Sequence, residues 1–217
     1  MSGARRYLGW LLLGLVGAVG LGGAILGIAL APKTATLTNA VVNTLAAPNY
    51  SMVVTERTPQ GNQTDNLVWE APDRLGGYIQ SGNKRTYVYV LPSGSGSAEY
   101  QSITVSATAH PARLTFYRQA SQSAASLNPA HNYLLYANDA RHLTLTGSTY
   151  TFSLTQNSTT GKETGVFAYT VSDQYVSEFN LAVGTSSVHM VISAIGSSPS
   201  VQLPAGSRVV TSASPGG

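Results

Sequence analysis

Residues 8–31 constrain this chain more than any other stretch. They form an unbroken run of 24 residues without a charge, a His, an Asn or a Gln. A bilayer core is crossed by ~20 consecutive apolar helical residues, so the run reads as a transmembrane helix. Arg5 and Arg6 stand before it, and Pro32 and Lys33 close it. Basic flanks stay cytoplasmic, which predicts residues 1–7 inside and everything after the run outside. Tyr7 and Trp10 fall where amphipathic rings favour the interface. A cleaved signal peptide is the alternative, with small residues at Gly27, Ala29 and Ala31 and a secreted product. Signal cores are ~7–15 residues, shorter than this run, and Pro32 directly after Ala31 is a poor cleavage context. Arg5-Arg6 also opens twin-arginine export signals, but Tyr7-Leu8-Gly9 match that pattern poorly. Gly14, Ala18 and Gly22, or Gly23 and Gly27, are spaced to seat a second helix, although Gly is common in membrane helices anyway.

The rest of the chain has a different composition. With Arg5 and Arg6 set aside, ten basic residues face nine acidic ones. No basic stripe with interleaved aromatics occurs, so nucleic acid is not an expected partner. The absence of Cys excludes disulfides, thiolate metal sites and a lipidated cysteine, and in an exported domain it suits a bacterial envelope. Residues 32–210 suffice for one domain with its own core, and 211–217 read as a disordered tail. Scarce charge with abundant Ser, Thr, Gly and Tyr is the make-up of an exported, mainly β domain rich in turns.

Taken in order, 36–47 reads as a helix capped by Thr38 or Asn39, with an apolar stripe of Val41, Val42 and Leu45. Alternating strands follow. Tyr50, Met52 and Val54 share one face, as do Leu67, Trp69 and Ala71. Ala71-Pro72-Asp73-Arg74 reads as a hairpin corner, Asp73 accepting a backbone N–H. Residues 85–91 are strongly strand-like, 92–98 a mobile Gly/Ser loop, 99–105 and 114–118 strands, and 119–127 a polar linker. Asn128-Pro129 is a helix start, Asn capping and Pro at the first helical position. The helix runs over 129–140 with Ala130, Leu134, Ala137 and Arg141 on one face and Leu135 beside them. Strands resume over 143–146, 150–155, 165–171, 175–183 and 188–194, with Tyr175, Ser177, Phe179, Leu181 and Val183 on one face of the fourth. Residues 201–204 close the domain.

This order resembles the bacterial lipoprotein carrier LolA and related exported lipid-binding lipoproteins. The resemblance rests on Ala71-Pro72-Asp73-Arg74, on Asn128-Pro129 with Leu134-Leu135, on 147–154, and on Ile195-Gly196-Ser197-Ser198-Pro199 before Val201 and Leu203-Pro204. It covers about residues 36–210. It implies a mainly β (α+β) fold: a curved antiparallel half-barrel of about 10–11 strands, an N-terminal helix, and a mid-domain helix in its mouth, able to enclose acyl chains. One departure is that the lipobox cysteine is missing and a spanning helix stands in its place, which puts a freely diffusing shuttle in doubt. Trp69, Tyr89, Tyr133, Leu134, Phe152 and Phe179 are the expected ligand-lining residues. Leu134 and Leu135 are expected to point into the sheet, with Leu134→Ala costing under ~2 kcal/mol if they wall a cavity.

No residue set for chemistry stands out. Ser81-Gly82-Asn83-Lys84 matches S-x-x-K, but its partner motifs are absent and it sits on a hairpin. No Gly-x-Ser-x-Gly, zinc-protease, dinucleotide or phosphate-loop motif occurs. His110, His131, His142 and His189 lack ligand spacing and read as surface or strand-edge residues. The acidic residues show no pairing, and Asp73 and Arg74 serve the turn. Asn157-Ser158-Thr159 is a glycosylation sequon only in a glycosylating host. Tyr87, Tyr89, Tyr133, Tyr150 and Tyr175 line a cavity or pack a sheet face; the sequence leaves both open. The expected function is membrane-anchored, extracytoplasmic binding of lipid or another apolar envelope molecule. The alternative is a structural or interaction module with an envelope protein partner. No enzyme activity, cofactor, catalytic residue or metal ligand is expected.

Overall fold

A computed structural model describes residues 32–109, 111, 114–121, 123–158 and 161–211. The fold is mainly β, one large curved open sheet with a few helices. Helix α1 (Pro32–Ala46) is followed by β1 (Asn49–Thr58), β2 (Gly61–Glu70), β3 (Arg74–Ser81), β4 (Lys84–Ser93), β5 (Gly96–Ser102), β6 (Val105–Ser106) and β7 (Thr115–Ser121). Helices α2 (Ala124–Leu127) and α3 (Pro129–Leu134) and a 3-10 turn (Leu135–Asp139) lead into β8 (Thr144–Thr146), β9 (Thr149–Ser158), β10 (Gly161–Ser172), β11 (Tyr175–Val183), β12 (Ser186–Ser193) and β13 (Arg208–Thr211). The sheet order is β13-β7-β5-β4-β3-β2-β1-β12-β11-β10-β9-β8, with β6 on β4. Two hairpin meanders are therefore joined where β1 meets β12. Every pairing is antiparallel except β13 on β7.

Thirteen strands exceed the expected 10–11. The extra ones are β6 and β13, each too short to announce itself by alternation. The Gly/Ser stretch at 92–98 is not a mobile loop: β4 and β5 pair through Ser93 and Gly96 around a tight turn. The expected polar linker holds the end of β7 and all of α2. No helix among the described residues is long and apolar enough to cross a membrane. The run at 8–31 lies outside them, as do His110 and the residues after Thr211.

Strict alternation builds the core. Tyr50, Met52 and Val54 of β1, Leu67 and Trp69 of β2, and Val188, Met190 and Ile192 of β12 are all buried on one face. The helices lie on that face: α1 over β10 and β11, α2 against β3, and α3 with the 3-10 turn against α1. The buried stripe of α1 is Leu37, Ala40, Val41 and Thr44, the i, i+3, i+4, i+7 spacing of one helical face. Val42 points to solvent, so the expected stripe was rotated. Thr38 and Asn39 lie inside the helix, which begins at Pro32.

A bulge corrects the reading of β11. The register shifts between Thr170 and Val171, so Val176 turns inward, fully buried, ahead of Phe179 and Leu181. The Val176 N–H donates to Thr44 Oγ1 (2.8 Å), which pins the bulge to α1. The reverse face carries a smaller core. There Phe116 meets Tyr89 edge to face at 5.6 Å, and a Cβ on Gly76 would lie 2.6 Å from the Tyr89 ring and 2.7 Å from Val201.

Candidate apolar binding face

The strand registers turn the helix-bearing face into continuous rows. One row runs Tyr150, Tyr169, Phe179, Met190, Val54, Asp65, Ile79, Thr86. The next on one side runs Phe152, Phe167, Leu181, Val188, Glu56, Gln63. On the other side lie Ile192, Met52, Leu67, Gly77, Val88, Gln101, Tyr117, and beyond it Tyr50, Trp69, Leu75, Val90, Glu99, Gln119.

The two halves of this face differ. From β9 to β1 it is packed. Phe152 stacks on Phe167 at 5.0 Å and on Tyr169 at 5.8 Å, and Tyr133 of α3 stacks on Phe179 at 5.4 Å. From β3 to β7 cover falls away along the row of Leu67, while Leu75 and Val90 in the row beyond stay buried. Leu67 is buried, Val88 and Gln101 are half-buried, and Tyr117 is 42% exposed. Gly77, at φ +152°, puts no side chain between Leu67 and Val88, and a Cβ there would meet the Asn66 carbonyl at 2.0 Å.

Helix α3 sits at the boundary. Asn128 caps it by accepting from the Ala130 N–H (3.0 Å) and donates to the Tyr50 hydroxyl (2.8 Å), as its position before Pro129 predicts. Tyr169 donates to the Tyr133 carbonyl (3.1 Å), and the Tyr133 hydroxyl donates to Glu56 Oε1 (3.0 Å). His131 lies over Trp69, rings 5.2 Å apart. The helical spiral ends as a 3-10 turn, so Leu134 is fully buried while Leu135 is 49% exposed. Only one of the paired leucines faces the sheet. Arg141 is exposed too.

The expected lining residues therefore divide. Trp69, Phe152 and Phe179 on the sheet and Tyr133 and Leu134 on α3 are brought together in one buried cluster. Tyr89 is not: it pairs with Gly76, one residue out of step with Val90, and belongs to the reverse face. Of the tyrosines, Tyr87 shares that reverse face and Tyr133 and Tyr150 the helix-bearing one.

Two acidic residues missed by sequence reading lie on this face. Asp65 is buried in the row of Val54 and Ile79, with Gln63 Nε2 donating to its Oδ1 (3.0 Å). Burial, and then the charge of Glu56 one row away, push its carboxyl up to about 7, against the pull of Gln63. Burial also raises Glu56, offset by the Tyr133 hydroxyl. The two are nine residues apart and meet only across a hairpin, which is why spacing along the chain does not reveal them. His131, expected at the surface, is half-buried, and burial holds its imidazole below its ordinary pKa. Asp73 and Arg74 do more than shape their corner. Asp73 accepts from the Ala124 N–H at the start of α2 and from the Ser97 hydroxyl of β5, while Arg74 donates to the Val201 carbonyl (3.1 Å). Among the described residues, no three of the His, Asp and Glu side chains gather where they could hold a metal.

Compared by sequence, the chain matches no family model and no curated protein. Compared by structure, it is similar to LprF from Mycobacterium bovis, with a TM-score of 0.52 at 10% identity over 81% of this chain and 98% of that one. The likeness is one of fold. Two looser matches are the lipoprotein LppX of Mycobacterium tuberculosis (TM-score 0.43, 10% identity, 78% and 97% covered) and a DUF1329 family protein of Desulfovibrio piger (0.30, 7%, 79% and 95%).

Proposed function

We propose that this chain is a membrane-anchored, extracytoplasmic binding protein for a lipid or another apolar molecule of the cell envelope. Its ligand lies on the β3–β7 half of the helix-bearing face. The observation that carries this reading is the gradient across that face, from packed aromatics under α1 and α3 to Val88, Gln101 and Tyr117 with little above them. Apolar surface left beside a packed core is where an acyl chain gains most by burial, ~0.8 kcal/mol per methylene. The resemblance to carriers of the LolA type and the fold shared with LprF support the same reading. Residues 8–31 hold the domain to the membrane. Away from α3 the face mixes Ile79, Val88 and Val90 with Thr86, Gln101, Glu99 and Gln119. Among the described residues on it none pairs a nucleophile with a base, so the role is binding rather than catalysis.

The test is a purified domain from Pro32 onward, examined by native mass spectrometry and by uptake of a fluorescent fatty acid. Co-purified apolar ligand or saturable uptake is the expected result; a bare chain without uptake overturns it. A second reading has its own observation. The stacked Phe152, Phe167, Tyr169 and Phe179 leave no room among themselves, which favours a packed module docking an envelope protein. That reading predicts no lipid uptake and an unchanged partner complex when Val88 is made polar.

A further inference from the structure

The seat of α3 carries an unexplained cost. Trp69 Nε1 and His131 Nε2 are buried without a hydrogen-bond partner among the described residues, and they belong to the same ring contact. An indole N–H can only donate, and a neutral imidazole offers one donor and one acceptor. Each buried polar atom left unpaired forfeits a hydrogen bond it would make in water. Tyr50 and Leu75 flank Trp69 in register, and the Tyr50 hydroxyl accepts from Asn128 rather than from Trp69. The other polar anchors of α3, Asn128 and Tyr133, are satisfied. A helix needed only to cover the sheet would sit as well on Phe and Leu.

We propose that the Trp69–His131 contact is the polar end of the binding face. By a small outward shift of α3 it takes the hydroxyl or carboxyl head of an otherwise apolar ligand, whose chain runs over Gly77 toward Val88. This rests on the binding reading above and specifies the ligand's chemistry and direction. A hydroxyl or protonated carboxyl oxygen accepts the Trp69 N–H and bonds His131 Nε2 in either tautomer, and a carboxylate accepts from both nitrogens when Nε2 carries the proton, whereas a hydrocarbon end does neither. The chain's direction follows the bare strip at Gly77, which leads from Leu67 to the half-buried Val88 and Gln101.

The test uses the full chain in phosphatidylcholine vesicles and two photoreactive hexadecanoic acids, one with its diazirine beside the carboxyl and one with it at the far end. Labelled peptides are mapped by mass spectrometry. The head probe is expected on the peptides holding Trp69 and His131, and the tail probe on β4 and β5. Trp69→Phe and His131→Leu should each cut head-probe labelling about fivefold, the worth of one hydrogen bond. Neither removes a hydrogen bond the protein makes internally, so His131→Leu should keep or raise resistance to urea, while Trp69→Phe, which thins a buried ring, should lower it modestly. If the head probe instead labels β7, and both variants take up both probes as the parent does, the nitrogens hold no head group. The proposal then falls while lipid binding stands. If neither probe labels the domain, the binding reading fails and takes this proposal with it.

Discussion

At the scale of single residues, the buried acid Asp65 makes the sharpest prediction. Its carboxyl is raised from 3.8 to about 7 in the fold, so between those values the unfolded chain has lost a proton that the folded chain keeps. Stability therefore falls as pH rises through this window, and the loss is complete above about 7. Asp65→Asn keeps the acceptor for Gln63 and removes the charge. Urea unfolding at pH 5 and pH 8 should show the variant's advantage over the parent growing by about 2–3 kcal/mol between the two, part of it already present at pH 5. A parent equally stable at both values would refute it. Leu134 supplies a second case. It is fully buried in the packed half of the face, so Leu134→Ala should cost about 2–5 kcal/mol in the same titration. That replaces the smaller loss expected had it walled a cavity. Residues of this kind were legible only in part. Alternation placed Trp69, Phe152 and Phe179 inside, because a period of two is fixed by the strand itself. It could not tell which of Tyr89 and Val90 faces the helices, since both neighbours are apolar enough for either side. Nor could it pair Asp65 with Glu56, a meeting made by hairpin register.

Elements were read well where a local rule decides them and poorly where a distant contact does. The start of α3 followed from Asn128-Pro129, and the hairpins from their turn residues. The inward turn of Val176 did not, because it depends on the Thr44 hydroxyl of α1, 132 residues away. Thr44→Val keeps the side chain's shape and removes that acceptor, leaving a buried N–H unpaired. A loss of about 1–3 kcal/mol is expected, with faster amide exchange at Val176. Unchanged exchange there would mean the bulge holds itself. Asp73 acts the same way at the other end of the sheet, binding α2 and β5 to the corner between β2 and β3. Asp73→Ala should free the α2 amides for exchange while the strands of the packed half stay protected. Helix α2 has only four residues, too few to hold without such a tie, and that brevity also hid it in the sequence.

On the scale of the whole molecule, the two meanders close through β1 and β12, so strands far apart in sequence complete one sheet. The count of hairpins and the mid-chain helix made a mainly β open sheet legible, while the parallel β13–β7 edge was not, because nothing local specifies it. The proposed anchor ties this architecture to a membrane. The apolar run of residues 8–31 is followed directly in sequence by α1, which begins at Pro32. If it is retained as proposed, the domain exchanges a lipid ligand only with its own membrane. Two measurements check the retention. The full chain should stay with membranes through an alkaline carbonate wash, and its N-terminal sequence should begin before Leu8. A chain that washes free and begins at Leu30 or Pro32 has been released instead. Function separates the two states as well. In a mixture of donor and acceptor vesicles, an anchored protein should move a labelled fatty acid no faster than it escapes unaided, because each domain serves only its own membrane. The domain from Pro32 onward should speed transfer in proportion to its concentration. Equal transfer by both forms would mean that residues 8–31 do not hold the protein to one membrane.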